Sequence, residues 1–294
     1  MSRKKWVRCS LRRLSTDLAE QGHAASYVTV RRLLKEQDYT LHSNRKELAS
    51  KQHPDRDRQF RYIRRVRQLF MAAGHPILSV DAKKKELIGN FKNKGRTWRR
   101  QAESVNMYDF RSDAQGRAVP YGIYDPQHNL GYVYVGTSAD TPEFAVDALA
   151  QWWQLPHRPT FTDESKLLIL ADGGGSNGYR PRLWKMALQE SLADAFGIDV
   201  MVCHYPTGAS KWNPIEHRLF SYISINWAAQ PLHSFDLMLN FIRDTTTTAG
   251  LEVEAYFCDQ EYRTGIKVSK HKMAALHLQR RNVCPRWNYV ISHR

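Results

Sequence analysis

Two short apolar runs in the sequence each end at an aspartate. Asp81 follows the run Ile77–Val80, and Asp172 follows the run Leu167–Ala171. Runs of this length that are rich in isoleucine, leucine and valine are typical of strands buried on both faces. Ligands of open α/β sheets bind outside the carboxyl ends of such strands. The two aspartates are therefore candidates for one site at the edge of a sheet.

The order of the predicted elements, β-β-β-α-β-α-β-α, specifies one topology. An antiparallel meander followed by right-handed crossovers gives an α/β fold with a mixed five-stranded sheet and flanking helices. This is the order of the ribonuclease H-like fold, in which the first strand is central and the fourth lies beside it. The predicted elements are strands at Ile77–Val80, Val119–Tyr124, Gly131–Gly136, Leu167–Ala171 and Ile198–Cys203, and helices at Asp140–Trp153, Tyr179–Phe196 and Asn213–Trp227.

A third carboxylate comes from the last helix of this core. Glu216 lies in the first turn of the helix that starts at Asn213, and that helix crosses back over the same sheet edge. Three carboxylates suit hard divalent cations. Two Mg²⁺ ions held in this way can clamp the attacking and leaving oxygens of a phosphodiester displacement. The sequence thus predicts a metal and catalytic site of Asp81, Asp172 and Glu216.

Each acid also has a purely structural interpretation. Asp81 could pair with Lys83–Lys85, and Asp172 could start the turn that Gly173–Gly175 completes. The segment from Asn213 to Glu216 could be a capping box. The occurrence of all three acids at matching positions of one topology favours the functional interpretation.

The charge of the chain points to a polyanionic partner. The sequence has 44 Lys+Arg against 29 Asp+Glu, a formal net charge of +15, and a field of this sign favours nucleic acid. No amphipathic helix with a large bare apolar face accompanies the charge, and no apolar run approaches the ~20 residues of a membrane span.

The four cysteines form no CxxC pair, which argues against a zinc ribbon or a disulfide scaffold and for a reducing cytoplasm.

Residues 1–50 are predicted to form a small helix-turn-helix. Leucines recur at helical spacing before Gly22, and Ser26 would cap a second helix. That helix would enter DNA as the recognition helix, although a helical hairpin without this role has the same pattern. The side chains predicted to face DNA are Thr29, Arg31, Arg32 and Lys35.

Further DNA contacts are predicted beside the acids. Lys83, Lys84 and Lys85 follow Asp81, and His217 follows Glu216 as either a DNA contact or an ordinary surface histidine. Trp212 could stack on a base beside a phosphate contact from Lys211, or could belong to the core.

The predicted domains are the segment 1–50, a basic connector helix at 51–74, the ribonuclease H-like core at 75–230 and a C-terminal α+β appendage at 231–294.

Seven segments of the sequence resemble the DDE-class insertion-sequence transposases of the ISAzo type, and the resemblance covers nearly the whole chain. In that family the acids matching Asp81, Asp172 and Glu216 are the catalytic triad, with 43 residues between the last two here. The segments are "TVRRLLKEQDYTLHSNRK", "HPDRDRQF", "SVDAKKKELIGNFKNKGR", "AVPYGIYD", "ADGGGSNG", "YPTGASKWNPIEHRLFS" and "GIKVS".

The resemblance implies Mg²⁺-dependent cutting at terminal inverted repeats and attack of the freed 3′-hydroxyl on target DNA, with Mn²⁺ able to replace Mg²⁺. It further implies double-stranded DNA as the partner, a homo-oligomer on that DNA, and a cytoplasmic, nucleoid-associated bacterial protein. Family members usually carry a further N-terminal stretch before the segment matching Trp6–Leu34, so a truncated copy is expected. A ribonuclease H-type nuclease or resolvase, and a decayed DNA-binding protein without catalysis, are the alternatives.

Overall fold

A computed structural model of the chain describes residues 9–41, 53–209 and 212–294. The chain divides into two compact units, Met1–Ser50 and Lys51–Arg294. No helix among the described residues is both long enough and apolar enough to cross a membrane.

The smaller unit contains the predicted pair of helices. Helix α1 (Leu11–Glu20) and helix α2 (Tyr27–Glu36) are joined by a short turn. Ser10 and Ser26 cap them, because each hydroxyl accepts a hydrogen bond from the backbone N–H three residues later. These are the helices and the second cap that the sequence predicted.

In the described part of the larger unit, nine strands form one mixed sheet. The strands are β1 (Ile77–Ala82), β2 (Glu86–Ile88), β3 (Gly116–Asp125), β4 (Leu130–Gly136), β5 (Lys166–Ala171), β6 (Asp199–His204), β7 (Glu252–Cys258), β8 (Leu278–Arg280) and β9 (Asn288–Ile291). Their order is β7-β4-β3-β1-β5-β6-β9-β8, and β2 pairs with β3. Strand β1 is antiparallel to β3 and parallel to β5, which is parallel to β6.

The five central strands confirm the predicted ribonuclease H-like fold, but the sheet is larger than predicted. Strand β7 pairs in parallel with β4, and β9 pairs antiparallel with β6. The sheet therefore has nine strands instead of five, and residues 231–294 supply strands to it instead of forming a separate appendage. The physical reason is that β4 and β6 would otherwise be edge strands with unpaired backbone groups.

Helices cover both faces of this sheet. The helices are α3 (Arg56–Ala72), α4 (Pro142–Gln154), α5 (Arg182–Ala187), α6 (Asp194–Phe196), α7 (Ser221–Asn226), α8 (Phe235–Arg243) and α9 (Lys270–Ala274), with π-helical stretches at Leu188–Ala193 and Glu216–Phe220. Helix α4 and the helical run from α5 to α6 pack on the face that carries Leu78 and Val80. Helices α3, α7 and α8 pack on the opposite face, in two clusters.

Helix α3 was predicted as a connector but is packed on the sheet. Its Ile63 and Val66 are buried against Ile77 and neighbouring strands. Its fully buried Gln59 donates to the backbone oxygen of His204 at 2.8 Å. The apolar positions recur between the arginines, so the helix buries one side and leaves a basic side outward.

Helix α4 begins later than the helix predicted to start at Asp140. Thr141 is the N-cap, and its hydroxyl accepts from the backbone N–H of Phe144 at 3.2 Å. An N-cap at Asp140 would require the helix to start one residue earlier. Pro142 explains the shift, because proline is favoured in the first position after the cap.

Candidate active site

The three predicted carboxylates lie at the carboxyl ends of the central strands β1 and β5. Asp81 is the penultimate residue of β1, and Asp172 directly follows β5. Because the strands are parallel and Val80 pairs with Ala171, the two aspartates leave the sheet side by side. Glu216 begins the π-helical stretch that leads into α7, and its carboxylate is near enough to that of Asp81 to raise the pKa of Asp81.

Burial and like charge raise the pKa values of Asp81 and Glu216. The pKa of Asp81 is raised to about 8, first by burial and then by the carboxylate of Asp172, with smaller contributions from Glu216 and Asp140. Burial also raises the pKa of Glu216. A cation or a proton bound between neighbouring carboxylates relieves their repulsion.

The donor set suits a divalent cation, although the side chains are not closed around one point. One oxygen of Asp81 accepts from the N–H of Ala82 at 2.8 Å, and one of Asp172 accepts from the N–H of Gly173 at 2.6 Å. Within the described ranges, no three Asp, Glu, His or Cys side chains are grouped closely enough to hold a metal ion. Three neighbouring carboxylates nevertheless have the chemistry that hard cations prefer.

The loop after Asp172 folds tightly back on itself. A Cβ on Gly178 would lie 3.0 Å from the carbonyl carbon and oxygen of Gly174, and a Cβ on Gly173 would lie 3.3 Å from the backbone oxygen of Tyr205. Backbone atoms cannot give way cheaply, so the chain needs glycine there. The structural interpretation of Asp172 therefore applies, since Asp172 starts this tight turn at the end of β5.

The helix that carries Glu216 approaches the sheet closely. Gly122 of β3 is directly opposite Asp81 in the strand register. A Cβ at this position would lie 2.5 Å from Cε1 of Phe220 and 2.9 Å from Cδ1 of Ile215. Because Gly122 has no side chain, the helix can lie directly against the strands, which places Glu216 near Asp81.

The capping-box alternative for Asn213 does not describe its contacts. The Asn213 side chain is fully buried and accepts from the hydroxyl of Ser79 at 2.5 Å. The N–H of Glu216 is bonded instead to the backbone oxygen of Asn213, at 3.2 Å. The asparagine therefore ties the helix to β1.

A buried histidine supports Asp172 from behind. His204 is fully buried, with Nδ1 2.9 Å from the backbone oxygen of Asp172 and Nε2 3.0 Å from the hydroxyl of Tyr289. Because a carbonyl only accepts, Nδ1 carries the proton and Nε2 accepts from Tyr289, whose oxygen accepts from Trp184. Burial lowers the pKa of His204 to about 3. Sequence reasoning missed His204. The signal that could have found it is its position, because His204 ends the apolar run of β6, just as Asp172 follows the apolar run of β5.

Two of the predicted DNA-binding lysines and His217 line a cleft beside Glu216. The cleft has a volume of about 560 Å³ and is lined by Lys83, Lys84, Glu216 and His217, among others. The Lys83 side chain is only 8% exposed and lies 4.6 Å from the ring centroid of Trp227, so it is mainly structural. Lys84 is 77% exposed at the mouth of the cleft, and Lys85 is partly buried.

Trp212 lies on a basic aromatic patch with α3. The Arg56 guanidinium lies 4.8 Å from the Trp212 ring centroid, and the Phe60 ring is 5.8 Å away. Trp212 is 43% exposed, so it is neither a core residue nor fully open. Lys211, predicted as its phosphate-binding neighbour, lies outside the described residues.

The four predicted DNA-facing residues of α2 have different surroundings. The Thr29 hydroxyl is 3.0 Å from that of Ser26 at the helix cap. Arg32 forms a salt bridge with Glu36 at 2.6 Å. Arg31 and Lys35 are exposed and one turn apart, which places both on one side of the helix.

Comparisons with known proteins place the chain among transposases. The Mos1 strand transfer complex is 15% identical, covering 80% of this chain and 65% of the Mos1 chain with a TM-score of 0.48. A Mos1 mariner paired end complex with Mn is 16% identical, covering 78% and 64% with a TM-score of 0.46. The chain thus spans slightly less than two thirds of the length of these Mos1 chains. No curated protein sequence matched the chain. The family model described as the Rhodopirellula transposase DDE domain matches residues 1–293, and the chain belongs to this family of DDE transposases, as its motifs indicated.

Proposed function

We propose that the protein is a DNA transposase that cuts at transposon ends and joins the freed 3′-hydroxyl to target DNA. The observation that carries this proposal is the convergence of Asp81, Asp172 and Glu216 at the ends of β1 and β5. Membership of the transposase family supports it, as does the net charge of +15, which suits a DNA partner.

In this proposal Asp81, Asp172 and Glu216 hold divalent cations, with Mg²⁺ as the natural ion and Mn²⁺ as a substitute. A bound cation stabilises the charge that develops on the attacking and leaving oxygens of the phosphodiester. The three carboxylates would hold the cation at the carboxyl ends of β1 and β5. His217 and the exposed Lys84 line the neighbouring cleft, where they can contact the DNA backbone.

The remaining DNA contacts are proposed for both units. Arg31 and Lys35 would bind duplex DNA from α2, and the exposed part of Trp212 would stack on a base. Because an element has two ends that must be cut and joined together, we further propose that two or more copies assemble on DNA, at the bacterial nucleoid.

The test is a cleavage and strand-transfer assay with an oligonucleotide that carries the terminal inverted repeat. Asp81→Asn, Asp172→Asn and Glu216→Gln are each expected to lower Mg²⁺-dependent nicking by at least ~10²-fold, because each removes transition-state charge stabilisation of several kcal/mol. DNA binding and folding should be retained. Glu190→Gln is the matched control, because Glu190 is an exposed helical acid outside the site.

The outcomes separate the alternatives. Nicking without joining by the parent protein would indicate a nuclease or resolvase, and DNA binding without either reaction would indicate a decayed protein. Rates near that of the parent in any of the three variants would remove that residue from the proposed site.

A further inference from the structure

Three polar side chains are buried between the segments that carry the acids. Ser79 lies two residues before Asp81, Asn177 lies five residues after Asp172, and Asn213 lies three residues before Glu216. Each of the three polar residues has 0% of its surface exposed.

Their hydrogen bonds connect the three segments through β1. The Ser79 hydroxyl donates to Oδ1 of Asn213 at 2.5 Å and accepts from the N–H of Ile215 at 3.3 Å. The backbone oxygen of Val80 accepts from Nδ2 of Asn213 at 3.4 Å and from Nδ2 of Asn177 at 3.3 Å. The carbonyl next to Asp81 is thus held from both sides, by the loop after Asp172 and by the start of the Glu216 helix.

Packing alone does not explain these residues. Burying an amide is unfavourable unless every polar atom is bonded, and Oδ1 of Asn177 is buried without a hydrogen-bond partner in the described structure. An unsatisfied buried group of this kind costs about 1–3 kcal/mol, whereas an apolar side chain of similar shape would avoid the penalty. What a hydrogen bond adds over an apolar contact is direction and a fixed distance.

We infer that Ser79, Asn177 and Asn213, together called the amide clamp, are positioning residues that fix the relative positions of Asp81, Asp172 and Glu216 before a cation binds. The inference rests on the proposed function. Like charges push the three segments apart when no cation is present, and sheet pairing restrains only two of them. The clamp connects the third, the Glu216 helix, to the strand that carries Asp81.

The experiment measures Mn²⁺ binding to the full chain without DNA, by electron paramagnetic resonance of the free ion. Ser79→Ala and Asn177→Ala are each expected to weaken Mn²⁺ affinity by about 10- to 100-fold, the usual effect of losing groups that orient metal ligands. Ser79→Thr keeps the hydroxyl and should restore an affinity close to that of the parent.

Gln189→Ala is the matched control. Gln189 is also fully buried and makes three hydrogen bonds, to Asp194, Ser292 and His277, none of which involves a segment that carries one of the acids. Its loss should lower the thermal midpoint of unfolding as the clamp variants do, but leave Mn²⁺ affinity unchanged. Asp81→Asn reports on the proposed site itself and should abolish the binding.

The results distinguish the two ideas. If Asp81→Asn abolishes Mn²⁺ binding while folded Ser79→Ala and Asn177→Ala bind as the parent does, the clamp is overturned and the site stands. A parent protein that binds no Mn²⁺ overturns both. If Ser79→Ala does not fold, Asn177→Ala decides the question, because Asn177 lies in a loop. Failure of both variants to fold would assign the clamp to stability and overturn the positioning role.

Discussion

A methyl group added at Gly122 should separate the Glu216 helix from the sheet. This glycine pairs with Asp81 across β1 and β3. The new Cβ would lie 2.5 Å from Cε1 of Phe220, 2.7 Å from its Cζ and 2.9 Å from Cδ1 of Ile215. All three atoms belong to the helical segment that carries Glu216, so the overlap is relieved mainly by moving that segment.

The size of the effect follows from these distances. Carbon atoms in contact lie about 3.5–4.0 Å apart, so the helix must move outward by roughly 1 Å. Overpacking of a core costs about 1–3 kcal/mol, which a domain with a stability of ~5–15 kcal/mol survives. A displacement of about 1 Å at a reacting centre, however, lowers the rate by about 10²-fold. Gly122→Ala should therefore be folded and nearly inactive.

The assay pairs nicking of an end oligonucleotide in Mg²⁺ with urea unfolding. Gly136→Ala is the control, because its Cβ would lie 3.0 Å from Cζ of Phe144, which packs on the opposite face of the sheet. It should lose stability and keep its nicking rate. Phe220→Leu, combined with Gly122→Ala, removes the ring atoms that overlap and should recover part of the rate. Gly122→Ala with the parent's nicking rate would refute the idea that this contact sets the position of Glu216.

Two further predictions concern DNA binding and acid stability. Replacing Arg31 and Lys35 together by alanine should reduce the log–log salt slope of duplex binding by about 1.8, or 0.9 per lost phosphate contact. Arg32→Ala should change the salt slope less than the loss of one phosphate contact would, because Arg32 already pairs with Glu36. A decrease of about 0.9 in the slope for Arg32→Ala would contradict this. His204 stays neutral when folded because its pKa is lowered to about 3. Between pH 6.5 and 3 the unfolded histidine therefore takes up a proton that the folded one does not. As the pH is lowered through that window, the free energy of unfolding decreases. His204→Asn should reduce the slope of unfolding free energy against pH there by up to about 1.4 kcal/mol per pH unit; an unchanged slope would contradict the assignment.

The central strands were predictable because they are buried on both faces. A strand such as Leu167–Ala171 leaves an uninterrupted apolar run, which only a few environments permit. The polar residue that ends each run then marks the sheet edge, which is how Asp81 and Asp172 became candidates. Glu216 followed from topology, because a helix after the last predicted strand must cross back over the same edge.

The pairing of the outer strands with the central sheet was not predictable in the same way. Strand β7 alternates exposed and buried residues over Glu252–Cys258, a pattern that fits an edge strand of any sheet. Its partner β4 lies more than a hundred residues earlier, and no local signal specifies so distant a pairing. Strand β9 has the same difficulty, which explains why residues 231–294 were interpreted as an appendage.

The buried polar groups were also invisible to pattern reasoning. Ser79 interrupts an apolar run and Asn213 stands before a proline, so each has an ordinary local interpretation. Their role depends on a contact between segments 134 residues apart. Functional sites are where local preference and global structure disagree most, because the site requires groups that the fold alone would not select.

The Glu216 helix carries one sequence pattern that fits its unusual geometry. Its buried positions Ile215, Leu219, Ile223 and Trp227 recur every four residues. In an α-helix each residue turns about 100°, so a four-residue spacing advances about 40° per step, and an apolar stripe of this kind would drift off the sheet. A π-helical stretch has a wider turn and takes up part of this drift. The stretch lies at Glu216–Phe220, where the helix crosses Gly122. The wider turn thus keeps Leu219 and Ile223 on the sheet while Glu216, at its first position, remains beside Asp81.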